Sequence, residues 1–74
     1  MEKNLYIYEF LFHSGNTERM ITHLKKQEIT NQLLDRNYAI FPVYWEINGE
    51  LKTISSYSVN MHSLKDFHFV EKVK

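Results

Sequence analysis

The chain has no cysteine. That absence removes disulfides, thiolate nucleophiles, zinc knuckles and iron–sulfur clusters together. It has one proline and two glycines, so chain reversals are confined to a few places. No charge of one sign dominates: nine basic residues balance nine acidic ones. A protein held on duplex DNA by phosphate contacts needs a concentrated positive field, which this balance does not supply. No apolar run approaches the roughly 20 residues of a membrane-spanning helix. The first twelve residues, MEKNLYIYEFLF, lack the continuous apolar stretch and small-residue cleavage site of a signal peptide. The expected location is the cytoplasm, with no membrane association.

Aromatics are abundant instead: five Phe, five Tyr and one Trp among 74 residues. That length makes a single domain, 1–74. A domain this small buries only about 60% of the surface of its unfolded chain, so it depends on dense packing or on self-association. The frequent Asn, Ile, Lys, Tyr and Phe suit AT-rich codons, as in a low-GC bacterium or its phage.

Hydrophobic periodicity predicts an α+β fold: an antiparallel sheet of about five strands in the order β-β-α-β-β-β, with one short helix on one face. Residues 5–12 alternate as a strand. Tyr6, Tyr8, Phe10 and Phe12 form one face; Leu5, Ile7, Glu9 and Leu11 form the other, where Glu9 disfavours the core. Ser14-Gly15-Asn16 is a turn. Across 17–37 a single helix would put Met20, Ile21 and Leu24 nearly opposite Ile29 and Leu33. The phase break predicts a second strand over 18–24 and a helix over about 27–36, with Ile29, Leu33 and Leu34 inward. Lys25 and Lys26 near its start oppose the macrodipole. Residues 66–73 read as the last strand, with Phe67, Phe69 and Val73 on one face.

Asn48-Gly49 is the strongest local signal, because a type I′ hairpin turn needs φ > 0 at both central residues. A regular two-residue hairpin pairs Ile47 with Glu50, Trp45 with Lys52, Val43 with Ile54, Phe41 with Ser56 and Ala39 with Ser58. That face is apolar enough to be the core side, and Trp45 opposite Lys52 offers a cation–π contact. The opposite face then carries Tyr38, Ile40, Tyr44, Leu51, Tyr57 and Val59. Pro42 lacks an N–H on the side away from this partner strand. Strand 38–47 is therefore expected to be a sheet edge, or to be interrupted at 42, with 51–59 interior beside 66–73.

Catalytic and metal-binding patterns are missing. His13, His23, His62 and His68 have no ligand spacing, so no metal or cofactor is expected. Ser14-Gly15-Asn16 is not a phosphate loop, and Ser55 and Ser56 sit mid-strand without a nucleophile elbow. Glu9, in an apolar strand, is the one carboxylate expected to have a raised pKa. No enzyme activity is expected. Tyrosine supplies rigid contact area with a polar tip and is enriched at interfaces. The expectation is a non-catalytic interaction or regulatory protein, of the kind a phage or accessory genome uses as an inhibitor. It would bind a protein partner through Tyr38, Ile40, Tyr44, Leu51 and Tyr57, or by strand addition at an edge. The same face could instead lie under the helix or meet a second copy in a homodimer. The alternative function is a weak single-stranded nucleic-acid binder that stacks bases on Tyr and Phe and uses Lys25, Lys26, Lys52 and Lys65 for phosphates. The glycine-containing RNP run of that class is absent.

Overall fold

A computed structural model describes residues 4–73, apart from the side chain of Ile54. The elements are β1 (Tyr6–Phe12), β2 (Thr17–Thr22), α1 (Lys26–Arg36), β3 (Tyr38–Ile47), β4 (Glu50–Asn60) and β5 (Leu64–Lys72). All pairings are antiparallel, and the five strands lie in the order β4-β3-β2-β1-β5. The α+β class and the element order read from the sequence are observed.

The sheet cannot be flat. β1 and β4 are three places apart, which in a flat sheet is about 14 Å at ~4.8 Å per strand. Yet the rings of Phe10 on β1 and Tyr57 on β4 are 5.5 Å apart, and Phe10 stacks on Phe41 of β3 at 5.9 Å. The outer strands β4 and β5 would be about 19 Å apart by the same spacing. They are joined only by residues 61–63, and four Cα steps reach at most about 14 Å. The β3–β4 hairpin therefore folds over the β2-β1-β5 sheet, and their inner faces enclose the core. Tyr8, Phe10, Ile29, Leu33, Ala39, Phe41, Val43, Val59 and Phe67 form that core. The β1–β5 ladder runs one step past Phe12–Leu64, where the His13 N–H donates to the Ser63 carbonyl at 3.0 Å.

β1 behaves as its alternation predicts: Tyr8 and Phe10 are buried, while Glu9 is on the outer face. The Tyr8 hydroxyl donates to the Leu24 carbonyl at 2.8 Å, tying the chain just before α1 to the core. At the helix start the Glu28 carboxylate accepts from the Lys25 N–H at 3.0 Å, which satisfies a donor there and offsets the two lysines. Asn37 ends the helix in the left-handed region, φ 67°. Ile29 and Leu33 are buried as expected. Leu34 is not: it is 73% exposed. A short helix touches its sheet along one i, i+4 strip, and Leu34 is turned about 100° from Leu33.

The hairpin turn is as predicted, with Asn48 at φ 52° and Gly49 at φ 81°. The register is regular from Ile47–Glu50 to Tyr44–Thr53 and then slips. Val43 faces Ser55 rather than residue 54, Phe41 faces Tyr57, and Ala39 faces Val59. Residue 54 is the extra residue of a β-bulge. One extra residue reverses the facing of everything beyond it. Tyr57 and Val59, expected on the tyrosine face, therefore lie on the inner face with Phe41 and Ala39.

The expected edge also needs correction. β3 lies between β4 and β2, while β4 and β5 are the outer strands and do not neighbour each other. Nor is the strand interrupted at Pro42: β3 runs unbroken over Tyr38–Ile47 with Pro42 opposite Ser56, and the single β3 residue in register with β2 is Tyr44, opposite Ile21. Before the proline, the free Ile40 N–H is met by the Gln32 side chain at 3.0 Å. A proline and a helix side chain together close this length of β3 to strand pairing.

Candidate interaction surface

The fold sorts the five residues singled out by the sequence into two groups. Tyr38, Ile40, Tyr44 and Leu51 share the outer face of the hairpin through the pairs Tyr38–Asn60, Ile40–Ser58, Tyr44–Thr53 and Glu46–Leu51. α1 packs on the inner face through Ile29 and Leu33, so the helix does not cover them. Tyr38 and Ile40 are exposed, and the Arg36 guanidinium lies 5.7 Å from the Tyr38 ring centre. Tyr44 is half-buried; its hydroxyl is 3.5 Å from His23 Nδ1, with the two rings nearly perpendicular.

Tyr57 belongs to the second group. Its ring packs against Phe10 and Phe41, at 5.5 and 5.6 Å, and its hydroxyl donates to Glu18 Oε2 at 2.6 Å. Burial, then the hydrogen bond to Glu18 and its negative charge, hold this phenol protonated well above the usual range. Tyr57 is a core residue with a polar tip, not part of the exposed tyrosine face.

Two residues assigned to the core by alternation are exposed instead. Trp45 and Ile47 continue the inner parity of Phe41 and Val43, yet they are 54% and 40% exposed. Neither is among the side chains of the core or those packed against it, so the hairpin tip runs on beyond the layer that covers Phe41 and Val43. The Lys52 ammonium lies 3.8 Å from Glu50. Sequence alternation gives parity but not where the opposing layer ends; the signal available was that Trp45 is only three residues from the turn.

Where β2 and β3 diverge they leave a cleft of about 280 Å³. Arg19, Met20 and Ile21 line it from β2, and Val43, Tyr44, Trp45 and Glu46 from β3. Arg19 also reaches the outer face of β1, donating from Nε to Glu9 Oε2 at 2.9 Å, while His68 Nε2 lies 3.5 Å from Glu9 Oε1. The Arg19 hydrogen bond, outweighing desolvation, lowers the Glu9 pKa. The sequence expectation of a raised value is thus overturned, because cross-strand register places the Arg19 guanidinium beside this carboxylate, with the His68 ring on its other side.

The remaining polar candidates stay apart. His13 and His62 line an open cavity between the turns, with Glu18 on its wall. Among the described residues no three His, Asp or Glu converge as metal ligands. Lys25 and Lys26 open the helix, Lys52 is near the hairpin tip and Lys65 begins β5. They are spread over separate elements, and Lys26 sits 5.5 Å above the Phe67 ring centre. No helix among the described residues is long and apolar enough to cross a membrane. No protein-family model, curated protein or solved structure matches the chain.

Proposed function

We propose that this chain is a non-catalytic interaction protein that docks a protein partner on the distal half of its β3–β4 hairpin. The observation that carries the reading is the exposure of Trp45 and Ile47 on a strand whose preceding inward positions are buried. Fully burying such side chains is worth roughly 1.5–3 kcal/mol each, and the isolated chain leaves much of that unrealised. Trp is also the residue type most often found to dominate binding energy at interfaces. Tyr44 and Leu51 flank the patch on the outer face, and Tyr38 and Ile40 extend it along β3. Tyr57 takes no part. A small cytoplasmic regulator or inhibitor from a phage or accessory genome would use such a patch to occupy a surface on its target.

The test is affinity capture from the native cell with mass spectrometry, using the chain, its Trp45→Ser/Ile47→Ser variant and a Leu34→Ser control. A partner held by the chain and by the control, and lost from the double variant, is the expected result. Equal capture by all three would refute the hairpin as the docking surface. Labelled single-stranded oligonucleotide at low salt should not bind; binding there would favour the nucleic-acid reading.

A further inference from the structure

We infer that the hairpin patch pairs with a second copy of this chain, each copy placing its Trp45 in the other's β2–β3 cleft. The inference rests on the interaction reading above and names the partner. Plug and socket adjoin along β3: Trp45 forms part of a cleft wall and is 54% exposed. A two-fold contact requires that arrangement, because one patch must complement itself. The cleft, at about 280 Å³, falls below the roughly 300–1,000 Å³ of a small-molecule site, yet can admit an aromatic side chain. Its uncharged lining is Met20, Ile21, Val43, Tyr44 and Trp45 itself, apolar and polarisable and suited to stacking a second indole.

Charge favours the same occupant. The cleft carries a cation, Arg19, on its β2 side and an anion, Glu46, on its β3 side. A two-fold axis through the patch sets each Arg19 against the Glu46 of the other copy. Only Nε of Arg19 is engaged with Glu9, and the side chain is 64% exposed, so its terminal nitrogens can serve. The chain has no formal net charge, so copies approach without long-range repulsion.

Trp45 is the sole tryptophan, so its emission reads the interface directly. Sedimentation velocity from low micromolar to near-millimolar concentration should show a monomer–dimer transition. The emission maximum should move to shorter wavelength with the same midpoint. Trp45→Ala should remain monomeric over that range with an unchanged far-UV spectrum. Glu46→Lys and Arg19→Glu, each checked for a native far-UV spectrum, should each be monomeric alone and form a heterodimer when mixed, because mixing restores both cross-copy pairs. A wild-type chain that stays monomeric with constant emission overturns the inference, as does a dimer that survives Trp45→Ala. Those results leave the wider docking reading to the capture experiment, which does not depend on self-association.

Discussion

Replacing Val59 by Ala, beside Ser58 by Ala, tests the bulge at residue 54. With the bulge, Val59 lies opposite Ala39 and is 2% exposed, while Ser58 is on the outer face opposite Ile40. Without it the two residues would exchange faces. Val59→Ala removes two carbons from the core, about 1.6 kcal/mol at ~0.8 per group. The cavity left behind raises the cost to roughly 2–2.5 kcal/mol. A chain of this length has about 4–11 kcal/mol of total stability, so the loss is a large share. At about 4–8 °C per kcal/mol for a domain of this size, the melting temperature should fall by roughly 8–20 °C. Ser58→Ala on the exposed face should stay within about 0.5 kcal/mol. Urea and thermal melts followed by far-UV circular dichroism at one protein concentration measure both. A near-neutral Val59→Ala, or a Ser58→Ala that costs as much, would show that β4 keeps the regular register and that the assignment of Tyr57 to the core is wrong.

Alkaline pH gives a further prediction. Burial, then the nearby Tyr6 and Glu28, push the Tyr8 phenol up to about 12, and Tyr57 is shifted in the same direction. A folded-state pKa above the unfolded value of about 10 means stability is full below pH ~10 and falls as pH rises toward 12. Absorbance titration should show tyrosines ionising late and together with unfolding, and Tyr8→Phe should weaken that pH dependence; early, independent ionisation of all five would contradict the burial. At acid pH the sign reverses for Glu9, whose carboxyl is held low by Arg19. Its contribution is present above the ordinary carboxylate range and is lost as pH falls through the folded value. A carboxyl-carbon NMR titration should place Glu9 below the other glutamates, and Arg19→Gln should raise its midpoint; no movement would show that the ion pair does not form in solution.

Local signals carried much of the fold. The alternation in LYIYEFLF set which side of β1 is buried, and the break in helical phase between Leu24 and Ile29 separated β2 from α1. Asn48-Gly49 fixed the turn. Each is a statement about near neighbours, and near neighbours decide them. The candidate surface was less legible. Tyr38, Ile40, Tyr44 and Leu51 share a face as their spacing implied, because no bulge lies between them and the turn along β3. Regular alternation puts Tyr57 on the wrong side because the bulge is an extra residue on β4, and nothing in TISSYS marks which residue is extra. Leu34, Trp45 and Ile47 were assigned to the core on apolar character and parity alone; whether a layer covers them depends on the extent of other elements.

The sequence by itself determined the elements, the inward side of β1 and the chain reversal at Asn48-Gly49. These follow from steric limits on φ and from period-2 and period-3.6 geometry. Tertiary structure alone decided that β3 is internal, that the hairpin folds over the other three strands, and that the strand order puts β4 and β5 at the outside. It also decided that Glu9 sits between Arg19 and His68 and that Trp45 stands at the lip of a cleft. Those outcomes depend on which distant segments can enclose the aromatic core at once, a condition set by the whole chain and not by any window of it.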